Sequence, residues 1–200
     1  MKHIKAYTLD QSKRNTLFVL TAFVTIGIFI GAFFGARGGA DIPDSPWVHQ
    51  YLYPPFKSGH FLDAFRNTVI SSVFFLASIF LFGLFAAGQP LGAAMLVYRG
   101  FGIGSCASML YSEFGRGAVP VIIILLIPKS IAFVYISILA VREDIRCSNF
   151  ILRSLLYTES DNFKRVSFRL YCIKFLVLIL ISVAVSALDI ALNYFLMRSI

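Results

Sequence analysis

Five long apolar runs, separated by shorter polar segments, dominate the pattern of this 200-residue chain. The runs cover residues 15–36, 64–87, 91–111, 118–140 and 171–197. Each has about 20 residues or more, which a helix rising about 1.5 Å per residue needs to cross a hydrocarbon core about 30 Å thick. None alternates apolar and polar positions as a membrane β-strand does. The pattern therefore predicts an all-α, polytopic membrane bundle of about five transmembrane helices, forming a single domain over residues 1–200.

The composition supports a multi-pass protein of the cell membrane. Hydrophobic residues make up 58% of the chain and charged residues only 14%, against about 25% charged residues in soluble domains. So few charges would not cover the surface of a soluble protein. A cleaved signal peptide is the alternative for the first run, but the apolar core of a signal peptide spans about 7–15 residues and this run is longer. We therefore predict a retained first helix.

The surplus of positive charge lies on one side of the predicted spans. Eleven of the 18 Lys and Arg residues either precede the first run or lie in or beside the loop between the fourth and fifth runs. Because basic loops stay in the cytoplasm, this asymmetry predicts a cytoplasmic N-terminus and an external C-terminus. Topology and anionic lipid headgroups explain the net charge of +8. Membrane lipids are therefore the expected partners of the basic surface, and nucleic acid is not.

Two of the predicted helices carry small residues at intervals of four positions. These are Gly27, Gly31 and Gly35 in the first helix and Gly100, Gly104 and Ser108 in the third. Small residues at this spacing clear one face of a helix, so that a second helix approaches closely. Packing inside the bundle is the favoured interpretation of these faces. The alternative is a partner interface, including self-association into a homo-oligomer.

Charged and polar groups also lie within the predicted spans. Arg99 lies about 12 Å from the inner end of the third helix, from where its side chain either snorkels to the surface or enters the bundle. Pro128 predicts a kink in the fourth helix, and Lys129 follows it near mid-membrane. The fifth helix carries one polar stripe at i, i+4, i+7 and i+11, formed by Ser182, Ser186, Asp189 and Asn193.

Counted from the inner ends, Lys129 and Asp189 lie at depths of about 17 and 22 Å. This places the two side chains within reach of each other, and we favour a structural ion pair. Charges inside a membrane are also functional candidates by default. The alternative is therefore a midplane solute site formed by this pair together with Asn67 and Arg99.

Two loops complete the predicted topology. The outer loop 37–63 contains Trp47, Tyr51 and Tyr53, whose rings suit the headgroup zone and also offer a contact surface for an external partner. The loop 141–170 is interpreted as two basic amphipathic helices lying on the cytoplasmic membrane surface. The alternative for that loop is a coupling helix that docks on a cytoplasmic ATPase.

Motifs of enzymatic chemistry are missing from the sequence. The chain contains no HExxH, GxSxG, Walker A or GxGxxG pattern. Its three Cys and three His residues are not spaced as metal ligands are. We therefore predict neither a cofactor nor a metal site, and no enzymatic activity.

Taken in order, these features resemble the stage II sporulation protein M family of bacterial multi-pass membrane proteins. The resemblance rests on the basic tail, the Gly-spaced first helix, "FLDAFRNTVISSV" with Asn67, "RGFGIG" with Arg99, Gly100 and Gly104, and "LLIPKSIAF". Many members have a Gly after that proline and a Glu a few residues later. Lys129, Ser130 and Phe133 stand in that segment here, so any role of that carboxylate in the family does not extend to this chain.

The resemblance implies a non-catalytic scaffold that anchors peptidoglycan-remodelling partners. In the family, the protein holds the cell-wall hydrolases called stage II sporulation proteins D and P at the septal membrane during engulfment. By analogy, this chain would hold such hydrolases through its outer loop and helix faces, in sporulation or a related envelope process. The second hypothesis, drawn from the intramembrane charges, is a transporter or permease subunit with a midplane polar site.

Overall fold

A computed structural model describes residues 2–37, 61–85, 88–156 and 162–199 of the chain. Within these ranges, side chains are described for residues 15–37, 65–85, 88–112, 115–120, 122–124, 126–152, 168–189 and 191. All of the described backbone is helical apart from the turn at Leu84–Phe85. The fold is therefore an all-helical bundle in its described part, as the hydrophobic pattern predicts.

Three long helices form the first half of the bundle. Helix α1 spans Lys2–Arg37, α2 spans Phe61–Gly83 and α3 spans Gly88–Phe114. The predicted link between the second and third helices at residues 88–90 is wrong, because these residues form the first turn of α3. Pro90 is tolerated there, since the N–H groups of a first helical turn have no partner inside the helix.

The fourth predicted helix is broken. A 3₁₀ turn at Gly115–Gly117 leads into the short α4, Ala118–Val121, and then into a π-helical segment at Ile122–Leu126. Helix α5 follows over Ile127–Leu156, and the axes before and after the break differ by 51°. Pro128 has no N–H to donate to the carbonyl oxygen four residues earlier, which favours a disturbed backbone just before it.

The predicted surface loop 141–170 is wrong for most of its length. Helix α5 continues without interruption to Leu156, and α6 spans Asn162–Ser199, so α6 begins nine residues before the fifth apolar run at residue 171. Only residues 157–161 between the two helices lie outside the described part of the chain. The amphipathic pattern that suggested interfacial helices belongs instead to the ends of α5 and α6, where α5 still buries one face against its neighbours.

Helix α5 lies at the centre of the packing and contacts α2, α3 and α6, while α1 packs mainly along α3. The main core is built from buried apolar side chains of several helices: Leu20, Val24, Phe75, Ile79, Leu96, Val141 and Phe175. Phe133, on α5, is also fully buried. Each of these helices therefore contributes at least one face to a shared interior.

The outer surface of the described helices carries large exposed hydrophobic side chains. Phe29 is 77% exposed, Ile131 65% and Leu188 64%. Monomeric soluble proteins rarely expose apolar surface on this scale, because water penalises it. In the described part of the chain, four helices are long and apolar enough to cross a membrane, and the broken segment at residues 115–152 brings the number to five if it counts as one span. The chain therefore has the architecture of a helical membrane bundle.

Candidate functional site: polar groups inside the bundle

The small residues of α1 and α3 form one close helix crossing. A Cβ atom placed on Gly27 would overlap the carbonyl oxygen of Val97, and one on Gly31 would overlap that of Phe101. In the opposite direction, a Cβ on Gly104 would overlap the carbonyl oxygen of Ile28. Residues later in α1 contact residues later in α3, so the two helices run parallel. Without Cβ atoms the two backbones touch directly, which is the arrangement that small-residue faces permit in membranes.

The remaining positions of these faces lie in the same crossing. A Cβ on Gly35 would lie 3.0 Å from the Cβ of Ser108, and one on Gly100 would overlap the carbonyl oxygen of Val24. The buried hydroxyl of Ser105 donates a hydrogen bond of 3.2 Å to the carbonyl oxygen of Gly31. Both small-residue faces are thus occupied within one chain, which agrees with the packing interpretation.

Lys129 and Asp189 form an ion pair inside the bundle. The Nζ atom of Lys129 lies 2.8 Å from Oδ2 of Asp189, and the two side chains are only 14% and 11% exposed. The pair joins α5 to α6 one residue after Pro128. The depth count along the two helices had predicted this contact. A charge removed from water is costly unless an opposite charge and hydrogen bonds compensate it, so each residue stabilises the other in its charged form.

Arg99 lies inside the bundle, and the snorkelling alternative is therefore wrong. The residue is 5% exposed. Its guanidinium carbon lies 4.6 Å from the ring centroid of Phe75 on α2 and 4.9 Å from that of Phe133 on α5. The negative faces of two aromatic rings attract the cation, and this attraction is strongest where water is excluded. The sequence-predicted kink position, Pro128, lies one turn before Phe133 on the same helix.

The polar stripe on α6 faces the interior along its described part. Ser182 and Ser186 are fully buried, and the Ser186 hydroxyl donates a 2.9 Å hydrogen bond to the carbonyl oxygen of Ser182. Asp189 completes the stripe through its pair with Lys129. The side chain of Asn193 lies outside the described part of the chain, as do Trp47, Tyr51 and Tyr53 of the outer loop.

Asn67 is not brought to the interior charges. Its side chain is exposed near the start of α2. The polar residues of α2 that are buried instead are Thr68, Ser71 and Ser72. The midplane group of four residues predicted for a solute site is therefore reduced, in this structure, to Arg99 on α3 and the Lys129–Asp189 pair.

Sequence reasoning missed Asp144, which the structure buries completely. The residue is 0% exposed, and among the described residues neither carboxylate oxygen has a hydrogen-bond partner. A signal was present, because Ser137, Val141, Asp144 and Ser148 recur at i, i+4, i+7 and i+11, the same spacing that identified the stripe on α6. All four are buried. The assignment of residues 141–170 to a surface loop concealed this pattern.

The fold and its interior polar groups define an all-helical bundle of the membrane-spanning class, whose interior holds the Lys129–Asp189 ion pair, Arg99 and Asp144. No protein-family model, curated protein or solved structure matches this chain.

Proposed function

We propose that this protein is a non-catalytic scaffold of the cell membrane that holds peptidoglycan-remodelling partners. The proposal combines the ordered resemblance to the stage II sporulation protein M family with one structural observation. The polar groups predicted to form a midplane site are largely engaged in the chain's own packing. Lys129 pairs with Asp189, and Arg99 lies between two aromatic rings. An interior stabilised in this way suits a rigid anchor.

The surfaces left for partners are the outer helix faces and the outer loop. The small-residue faces of α1 and α3 cover each other, so they are a poor choice for an interface between chains. Lipid covers apolar helix faces without further help, whereas a loop outside the bilayer selects partners by shape and hydrogen bonding. We therefore assign hydrolase contact to the outer loop, through the aromatic residues Trp47, Tyr51 and Tyr53.

In-cell photocrosslinking tests the scaffold proposal. A photoreactive amino acid replaces Trp47, Tyr51 or Tyr53, one at a time, and mass spectrometry identifies what is captured. We expect cell-wall hydrolases from these positions. The matched controls are Phe29 and Leu188, two exposed apolar positions on α1 and α6, from which we expect lipid. Capture of lipid alone from all three loop positions would contradict the proposal.

A transporter or permease subunit is the second candidate, favoured by the broken fourth segment beside the Lys129–Asp189 pair. Discontinuous helices form the substrate sites of many transporters. In proteoliposomes, a transport role predicts flux of a small solute that Lys129→Met abolishes and that the double change Lys129→Met/Asp189→Leu does not restore. Full flux in the double variant would make the pair structural only.

A further inference from the structure

A buried carboxyl without a partner lies at the end of the bundle where α2 turns into α3. Asp144 is fully buried on α5, and neither Oδ1 nor Oδ2 has a hydrogen-bond partner in the described part of the chain. Desolvating an ionised carboxylate costs several kcal/mol, and proteins normally offset this with a cation or with donors. Neither is present among the described atoms that contact this side chain, so the site lacks a positive charge.

Two glycines, one on α2 and one on α3, leave the space that the two carboxyl oxygens of Asp144 occupy. A Cβ atom on Gly83, at the end of α2, would lie 2.6 Å from Oδ1, and one on Gly92 of α3 would overlap Oδ2. Any other residue at these two positions would displace the carboxyl group. The two glycines therefore create a closely fitting chamber that holds the head of one side chain from a third helix.

The remaining wall supplies acceptors. The hydroxyl of Tyr171, on α6, lies against Gly83 as Oδ1 does, and it donates its hydrogen to the carbonyl oxygen of Phe80 at 3.0 Å. The hydroxyl oxygen of Tyr171 can therefore only accept hydrogen bonds from other groups. Helix α2 ends at Gly83, and the last carbonyl groups of a helix carry the negative end of its dipole. The Tyr171 hydroxyl and the end of α2 therefore lie beside the same glycine as the carboxyl group, and the hydroxyl hydrogen is already donated elsewhere.

Neighbouring charged and titratable groups do not neutralise Asp144. Glu143, the preceding residue, binds Lys174 of α6 at 2.7 Å and Arg146 at 3.0 Å. Cys147 on α5 and Tyr171 on α6 interact electrostatically with Asp144, and both are acids that carry no positive charge in either form. Cys172 on α6 and Glu143 lie in the same electrostatic neighbourhood. Gly83 of α2 and Gly92 of α3, which lie against the carboxyl group, carry no charge.

We propose that Asp144 is a proton-binding site. In the closed bundle its carboxyl group keeps its hydrogen and is uncharged. When the O–H bond breaks, the proton passes to water and the electron pair stays on the carboxylate. That negative charge then faces the carbonyl end of α2 with nothing to balance it.

Loss of the proton loosens the contact between α5 and the α2–α3 turn. One turn beyond Asp144, the Ser148 hydroxyl donates to the carbonyl oxygen of Phe85 at 3.0 Å, and the amide of Gln89 donates to Oδ1 of Asn149 at 2.8 Å. These two hydrogen bonds hold the turn against α5. Repulsion between the ionised Asp144 carboxylate and the carbonyl end of α2 would push α5 away from the same turn. The site therefore couples the protonation of one side chain to the position of a helical hairpin, whether or not the scaffold proposal holds.

Infrared difference spectroscopy tests the protonation directly. The full chain is reconstituted in lipid nanodiscs at neutral pH, and spectra of Asp144→Asn and Glu143→Gln are subtracted from that of the wild type. We expect the C=O stretch of a protonated carboxylic acid to vanish in Asp144→Asn and to persist in Glu143→Gln, whose carboxylate is ion-paired. A wild-type spectrum that lacks this band at neutral pH would overturn the proposal.

Labelling with dicyclohexylcarbodiimide, which reacts with protonated carboxyl groups in apolar surroundings, identifies the occupant. We expect mass spectrometry to find the adduct on Asp144, with a yield that falls in alkaline buffer. Exchanging sodium for choline at equal ionic strength should leave the yield unchanged. Protection by sodium would show that the chamber takes an alkali cation instead of a proton, and the proposal would then be wrong.

Hydrogen exchange tests the coupling to the hairpin. After correction for the intrinsic effect of pH, the hydrogen-bonded amides of Leu84, Phe85 and Gly88 should exchange about tenfold faster in alkaline buffer than at neutral pH, as expected for local opening. Asp144→Asn cannot ionise and should remove this increase. An increase that persists in Asp144→Asn would show that another group controls the opening.

Discussion

The charged side chains inside this bundle differ in what surrounds each of them. Lys129 has a carboxylate partner, and Arg99 has two aromatic rings. Asp144 has neither and lies between two glycines. Burial in each case removes water that would otherwise solvate the charge. Single substitutions at these positions should therefore change the free energy of unfolding strongly. The size of the change should depend on whether a buried partner is left without compensation.

Replacing Lys129 by Met should destabilise the protein by about 3–5 kcal/mol, because the carboxylate of Asp189 is left buried without its partner. The double change Lys129→Met/Asp189→Leu should recover most of that loss, since two apolar side chains need no compensation. Unfolding by increasing SDS in mixed micelles measures both free energies. A double variant as unstable as the single one would show that the pair is not the source of the loss.

The exposed pair of Glu143 and Lys174 provides the matched control. Its N–O distance of 2.7 Å is as short as that of the buried pair, but the Lys174 side chain is 46% exposed. Water screens an exposed pair, which is typically worth about 0–1 kcal/mol. Lys174→Met should therefore change the free energy of unfolding by less than about 1 kcal/mol in the same experiment.

The sequence predicts the role of an interior charged residue where it also identifies the group that contacts that residue. Depth counting brought Lys129 and Asp189 together because both lie on strongly apolar helices. Arg99 left two alternatives open, because its aromatic neighbours come from α2 and α5 and a count along α3 does not find them. Asp144 was missed because the surrounding segment carries several charges, and its composition concealed a buried face.

At the scale of helices, α1 and α3 cross with their backbones in direct contact along one face of each. The sequence predicted a close contact from the four-residue spacing of Gly27, Gly31 and Gly104, but could not select the partner. Two small-residue faces in one chain could pair with each other or with other chains. The structure selects the first arrangement, since each face fills the space left by the other.

Gly31→Leu should separate α1 from α3, because the new side chain would occupy the position of the Phe101 carbonyl group. We expect a loss of stability of about 2 kcal/mol or more, at the upper end for overpacked sites. Gly117→Leu is the control, since a Cβ at Gly117 meets nothing within 4 Å. SDS-induced unfolding compares the two. Equal stability of both variants would contradict the crossing described here.

Helix ends were harder to predict than helix existence. Apolar runs predicted where the spans lie, but helix α5 continues beyond its run to Leu156 and helix α6 begins at Asn162, before its run. The break at Ile122–Leu126 was expected at Pro128 itself and lies just before it. This offset has a physical cause, since a proline disturbs the turn that precedes it, where its missing N–H and its ring act.

For the whole molecule, the direction in the membrane is a prediction from charge alone. Parallel packing of α1 and α3 requires that both cross in the same sense, with α2 returning between them. If the broken segment at residues 115–152 is also one span, the described helices cross five times and the termini lie on opposite sides. Reporter fusions at residues 1 and 200 should show a cytoplasmic N-terminus and an external C-terminus. Two fusions active in the same compartment would make the broken segment at residues 115–152 a re-entrant loop.

The parallel contact of α1 with α3 also imposes an order on biogenesis. When α1 leaves the ribosome, its glycine face has no partner, and α2 must be synthesised and turned back before α3 can supply one. Until then, the glycine face of α1 is exposed to lipid, with its backbone carbonyl groups uncovered by side chains. A nascent chain released before α3 is complete would keep that face uncovered, and membrane quality-control proteases would have a ready signal for its removal.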